Sequence, residues 1–167
     1  DMLYLPPRWA HDGVAVGECM TCSIGFRASA RFEVAREVLQ RVVDAQDAPL
    51  LDPLYRDPAQ PATTEPARMP AALQAFAGEA VARLVQTPDA IACALGEWLS
   101  EPKPQVWFDE GASVPPKRGI RLDRRTRMLY DDHHVFINGE SYRAAGRDAT
   151  LMRRLADRRG LGADDMR

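Results

Sequence analysis

Long apolar runs are missing from this chain. Nowhere do roughly 20 apolar residues follow one another, the length a helix needs to cross a bilayer, and no signal-peptide pattern opens the sequence. Cysteine is scarce and odd in number, with Cys19, Cys22 and Cys93 alone, so no disulfide framework is expected and a reducing, cytoplasmic setting is. Aromatic residues make up only 7%. Internal repeats and low-complexity tracts are absent, which excludes solenoids and disordered arrays.

The 167 residues present are 28% charged and 46% hydrophobic, the balance of a globular protein of one ordinary domain or two small ones. A net charge of −2 hides an asymmetry. Residues 1–100 carry 8 Lys/Arg against 13 Asp/Glu, whereas residues 101–167 carry 14 against 11. Much of the later excess lies in KRGIRLDRRTR (117–127). Such a run either steers an anionic partner, nucleic acid being the obvious one, or forms a solvated arginine-rich face.

Three regions separate by pattern. Residues 2–27 read as strands, the first of them ended by Pro6 and Pro7, which lack the donor a ladder needs. From Ser29 the period becomes helical. In ASARFEVAREVLQRVVDA, Phe32, Ala35, Val38, Leu39, Val42 and Val43 recur at three- and four-residue steps. Six prolines between Ala48 and Pro70 predict a surface loop. A second helix is expected from about Pro70 to Gln86, with Leu73, Phe76, Val81 and Leu84 on one face. A third is announced by TPDAIACALGEWL, with Thr87 placed to cap, Pro88 in the first helical position and Asp89 suiting the positive helix end. Beyond SEPKPQ, the stretches GIRLD, RMLYD, HVFIN and ESYRA predict short strands, and Asn138-Gly139 a two-residue hairpin. RDATLMRRLADRRG predicts a helix with Leu151, Met152 and Leu155 inward, ending at Gly160, and GADDMR a new helix start with Asp164 as cap. A strand pair in front without a sheet, and a helix start at the back without its helix, predict a piece of a longer protein.

Two places invite a chemical reading. His11 follows a strand and a proline-stiffened turn, which sets an imidazole on a fixed backbone, as metal ligands require. The stretch YDDHHVFING gathers two acids and two histidines in four positions. Adjacent strand residues diverge, however, and Asp-Asp between strands is ordinary turn chemistry. Cys19 and Cys22, three residues apart on a strand, point to opposite faces, which argues against a chelating or redox pair.

DMLYLPPRWAH followed by CSIGFRA resembles the second half of the cupin core in JmjC-like oxygenases. YRDPAQPAT (55–63) and LGEWLSEPKP (95–104) resemble the bacterial ribosomal-protein hydroxylases of that group. The resemblance implies an α+β chain in three parts. These are the last strands of a cupin/JmjC jelly roll (1–28), a helical dimerisation region (29–104) and a truncated winged-helix-like domain (105–167). It implies a parent enzyme that uses Fe(II) and 2-oxoglutarate to hydroxylate an arginine of a ribosomal protein, and association as a homodimer through the helices. Family members bind iron through two histidines and an aspartate, and His11 matches the third ligand. The earlier His-x-Asp pair has no counterpart here, so this chain alone is expected to be inactive. On a strand, Thr21 and Ser23 share a face, small and polar enough to line a jelly-roll interior against the co-substrate carboxylate, or simply to pack there. Two other readings stand beside the oxygenase: a nucleic-acid-binding winged-helix-type module and a purely architectural dimerisation domain.

Overall fold

The computed structural model describes residues 2–6, 8–25, 28–46, 53–86, 89–109 and 119–166. Its elements run in chain order as α1 (Arg31–Asp44), α2 (Ala71–Gln86), α3 (Ala90–Ser100), β1 (Ile120–Arg121), β2 (Met128–Tyr130), β3 (His134–Ile137), β4 (Glu140–Arg143), α4 (Gly146–Arg158) and β5 (Gly160–Leu161), followed by a 3-10 turn at Asp164–Met166.

The strands expected in 2–27 are not formed among the described residues of that stretch. Among described residues before α1 there is neither strand nor helix, and their side chains are exposed. The physical reason is a missing partner: strand backbone is stable only when its N–H and C=O groups pair across a ladder, and two short runs offer each other too little apolar surface.

Helix α1 follows its sequence period. Val38 and Val42 are its buried residues, and they pack on Ala94 of α3 with Val34, Leu84, Ala90 and Leu95 around them. Arg41 near the end of α1 pairs with Glu101 just beyond α3. Helix α2 has no buried residue and contributes Leu84 to that cluster. Helix α3 is apolar over most of its circumference because it is packed from two sides, by α1 and by the sheet. Its buried positions are small, Ala94, Gly96 and Ser100, which lets neighbouring backbone come close. Thr87 and Pro88 lie outside the described residues. Asp89 stands at the N-cap rather than inside the helix, in a left-handed conformation (φ 65°) and without a side-chain capping bond.

Strands β2, β3 and β4 form an antiparallel meander. Asn138 (φ 52°) and Gly139 (φ 93°) turn the β3–β4 hairpin with Ile137 opposite Glu140, as the Asn-Gly pair predicts. Alternation along β3 decides the packing. Val135 and Ile137 join Met128, Leu155 and Leu161 in one core, with Leu151 and Met152 of α4 against it. His134 and Phe136 turn to the other face, towards α3. The meander is thus a sheet between two helices.

Helix α4 ends at Arg158, two residues before Gly160. Arg159 takes the left-handed position (φ 62°) with its N–H on the Leu155 carbonyl. Gly160 is then free to open β5, which pairs with β1 (Ile120 opposite Leu161). The expected new helix at Asp164 is a 3-10 turn, and Asp165 closes it by accepting the Gly162 N–H at 2.9 Å.

Candidate functional site

His11, Thr21 and Ser23 all lie exposed in the irregular stretch before α1, so the strand geometry that would aim Thr21 and Ser23 at one interior is absent. Cys19 and Cys22 are exposed free thiols in the same stretch, and the opposite-face argument lapses with the strand. Among the described residues no group of three or more His, Cys, Asp or Glu lies close enough to hold a metal ion. A single exposed imidazole does not fit an Fe(II) centre, which needs several protein ligands converging on one point.

A polar cluster forms instead where α3 crosses β3, at the histidine pair that the sequence suggested was only turn chemistry. Asp131 opens the β2–β3 turn, and its Oδ1 accepts the backbone N–H of His133 (2.7 Å) and of His134 (2.6 Å). Burial pushes the Asp131 carboxyl up, but those two bonds and the His134 ring outweigh it and hold the group below the usual range. The His134 side chain is 7% exposed, with Nδ1 3.3 Å from Asp131 Oδ1 and Nε2 3.8 Å from Asp89 Oδ2. Nearby, the Ser141 hydroxyl donates to Glu97 Oε1 at 2.5 Å, and Ser100 Oγ accepts the Gly139 N–H at 3.1 Å. Cys93 sits among these groups. Burial raises its thiol, a hydrogen bond with Ser141 lowers it, and the charges of Glu97, Asp89 and Asp131 raise it further, with a net upward shift. A thiol so held stays protonated and is a poor nucleophile. Sequence alone gave one signal of this cluster, the run DDHH, but not that α3 would bury it.

Several arginines of the later part of the chain are engaged within it, among them Arg125 and Arg127 of the run 117–127. Arg127 donates to the Glu101 carbonyl at 2.9 Å, beyond the end of α3. Arg159 donates to the carbonyls of Thr126 (2.8 Å) and Asp123 (2.7 Å). Arg153 donates to the carbonyls of Asp131 (3.1 Å) and Asp132 (2.8 Å) and lies over the Tyr130 ring. Arg125 pairs with Asp123, and Arg154 with Asp165. Guanidinium groups with several donors suit such backbone clamps, and each clamp removes donors from a phosphate-binding surface. Lys117 and Arg118 of the basic run lie outside the described residues.

A family model described as ROXA-like winged helix matches residues 83–167, half of the chain. The chain belongs to the ROXA-like winged helix family. A second model, described as JmjC domain, matches residues 1–34, the stretch that carries LYLPPRWAH and the JmjC-like resemblance. A curated relative, the ribosomal protein uL16 3-hydroxylase of Escherichia coli, is 28% identical over 165 residues, covering 89% of this chain and 42% of its own length. The crystal structure of the Escherichia coli ribosomal oxygenase YcfD aligns at a TM-score of 0.58 with 22% identity, covering 86% of this chain and 41% of that one. The same protein in complex with cobalt and 2-oxoglutarate aligns at 0.57, again at 22% identity and with the same coverage. These likenesses establish a shared mixed helix-and-sheet fold. The chain spans well under half the length of the relatives it matches. Among the described residues no helix is long and apolar enough to cross a membrane.

Proposed function

We propose that this chain is the C-terminal part of a cytoplasmic Fe(II)- and 2-oxoglutarate-dependent oxygenase that hydroxylates an arginine of a ribosomal protein. The observation that carries the reading is the succession along one chain of a JmjC match over 1–34 and a ROXA-like winged helix over 83–167, supported by the likeness to a curated ribosomal protein hydroxylase. Residues 1–28 then close the jelly roll, 29–104 form the helical region and 105–167 the winged-helix-like domain, with α3 packed against both of the latter.

In this reading His11 is one metal ligand, and Thr21 and Ser23 line the co-substrate pocket once the rest of the jelly roll pairs with their strand. The described residues by themselves do not fit the iron, so the chemistry belongs to the whole protein. The helical region pairs two copies. Phe32 (80% exposed), Val81 (60%) and Ile91 (50%) leave large apolar side chains uncovered on α1, α2 and α3, and a two-fold contact is the commonest way to cover such surface.

The test is to incubate the whole protein with Fe(II), 2-oxoglutarate and large-subunit ribosomal proteins, and to read peptide masses. A gain of one oxygen on an arginine is expected. No gain on any ribosomal protein, with 2-oxoglutarate left unconsumed, overturns the assignment.

A further inference from the structure

We propose that the outer edge of β4 pairs antiparallel with β4 of a second copy of this chain, about a two-fold axis through Tyr142, joining two meanders into one continuous sheet. β4 is the last strand of its sheet and is bonded on one side only, to β3. Along an antiparallel ladder, alternate residues turn their backbone groups to the neighbour and the others turn them outward. The register decides which are which. Ile137 and Glu140 flank the two-residue turn and face each other as a bonded pair, and the Ala144 N–H donates to the His133 carbonyl at 3.1 Å. The inward positions are thus Glu140, Tyr142 and Ala144. Ser141 and Arg143 direct both N–H and C=O outward, and no described residue takes them up.

An extended backbone complements such an edge, and this edge complements itself. With the axis at Tyr142, Ser141 stands opposite Arg143 of the second copy, and Arg143 opposite its Ser141. Each is a pair that exchanges both of its N–H···O bonds. An axis at Ser141 would set Arg143 against the turn at Gly139, and an axis at Arg143 would set two guanidinium groups against each other. Charges on an edge strand ordinarily prevent pairing. In this register they do not, because Glu140 meets Ala144 and Arg143 meets Ser141, so no like charges are opposed. The arriving Arg143 also finds a carboxylate. The Ser141 hydroxyl donates to Glu97 Oε1 at 2.5 Å, which holds that acid beside the place the guanidinium takes.

The other face of the strand supplies apolar contact. Tyr142 is 49% exposed and lines a cavity of about 310 Å³ together with Val135, Ile137, Ala144 and Met152. Across the axis it meets its own counterpart in a non-hydrogen-bonded pair, where opposed side chains come closest, and aromatic pairs of this kind stabilise sheets. A strand of four residues buries little, so the contact is weak, with association on the order of hundreds of micromolar. It lies on a different element from the exposed residues of α1 and α2. It depends neither on helical pairing nor on the oxygenase reading.

Two measurements test it, both with Phe32→Glu and Val81→Glu in place so that helical pairing does not contribute. The first reads the register by cross-linking. With the exposed thiols removed by Cys19→Ser and Cys22→Ser, Tyr142→Cys is expected to form a covalent dimer under oxidised glutathione, since the axis brings position 142 to disulfide reach of itself. Ser141→Cys is expected to cross-link several-fold less. No dimer from Tyr142→Cys, or equal yields from the two, overturns the pairing. The second reads the backbone by hydrogen exchange. Protection of the Ser141 and Arg143 amides is expected to rise several-fold as the chain is concentrated from tens of micromolar to about a millimolar. Arg143→Pro removes an outward N–H and leaves the ladder to β3 whole, so the rise at Ser141 should vanish. A rise that survives this change overturns the pairing, and so does protection that is the same at every concentration, which would place another segment on the edge. Should Arg143→Pro fail to fold, Arg143→Glu sets a carboxylate against Glu97, and an unaltered rise in that variant overturns it equally.

Discussion

Gly96 of α3 lies against the ring of Phe136 in β3 so closely that a methyl group added at Gly96 would stand 2.4 Å from the ring carbons. Phe136 is 3% exposed and has no open side to move into. This contact sets the separation between α3 and the sheet, and with it the geometry of the polar cluster beside them.

Gly96→Ala is therefore expected to destabilise the chain, although alanine is ordinarily the better helix former by about 1 kcal/mol. Overpacking of a tight core contact costs about 1–3 kcal/mol, and against a 2.4 Å approach it wins, for a net loss of up to about 2 kcal/mol. Urea denaturation measures it. The double variant Gly96→Ala with Phe136→Leu should recover part of the loss. A single variant more stable than the parent would refute the contact as described.

Asp123 makes stability depend on pH. The side-chain hydrogen bond from Arg125, joined by that residue's backbone N–H, holds the Asp123 carboxyl at about 2 against an ordinary 3.8. Its folded value is depressed, so its contribution to stability is present above the ordinary carboxylate range and is lost as pH falls from about 3.8 towards 2. A carboxyl resonance titrating near 2 in the parent, and moving up in Arg125→Ala, is the expected result.

Arg159 joins the end of α4 to the loop before β2 through carbonyls on Thr126 and Asp123. Lysine carries the same charge but not the planar fork, so Arg159→Lys is expected to cost about 1–2 kcal/mol rather than to be silent. If the arginines served chiefly to bind phosphate, this substitution would leave stability unchanged and RNA binding would show a steep salt dependence.

Dimer formation is read by light scattering coupled to size exclusion. The structure refines the choice of probe: Phe76 is partly covered by Tyr55, their ring centroids 5.6 Å apart, whereas Val81 and Phe32 are open. Glutamate at Val81 and Phe32 is expected to give a monomer. A monomeric parent at tens of micromolar, or a double variant that remains dimeric, contradicts the proposed face.

What the sequence disclosed follows from the range of the interactions involved. The helices at 31–44 and 71–86 and the hairpin at Asn138-Gly139 were legible because an apolar period or a turn pair acts within a few residues. The strands expected in 2–27 failed because a strand depends on partners far away in sequence, and none of the described residues supplies them. The pairing of Ile120 with Leu161 is equally remote, and Gly160 read locally as a helix stop. His134 was set aside for the same reason. Its neighbours Asp131 and His133 are local, but Asp89, which completes its surroundings, stands 45 positions earlier in the chain. Composition showed the charge of the later arginines and not their acceptors, which for Arg127, Arg153 and Arg159 are backbone carbonyls.

The most direct measurement is Fe(II) binding and succinate release by the whole protein carrying His11→Ala, beside the unaltered whole protein, each with 2-oxoglutarate and ribosomal substrate. Removal of one of three protein ligands is expected to abolish stoichiometric iron binding and turnover while leaving the fold and oligomeric state intact. Full iron occupancy and an unchanged rate of succinate release in His11→Ala would contradict the account.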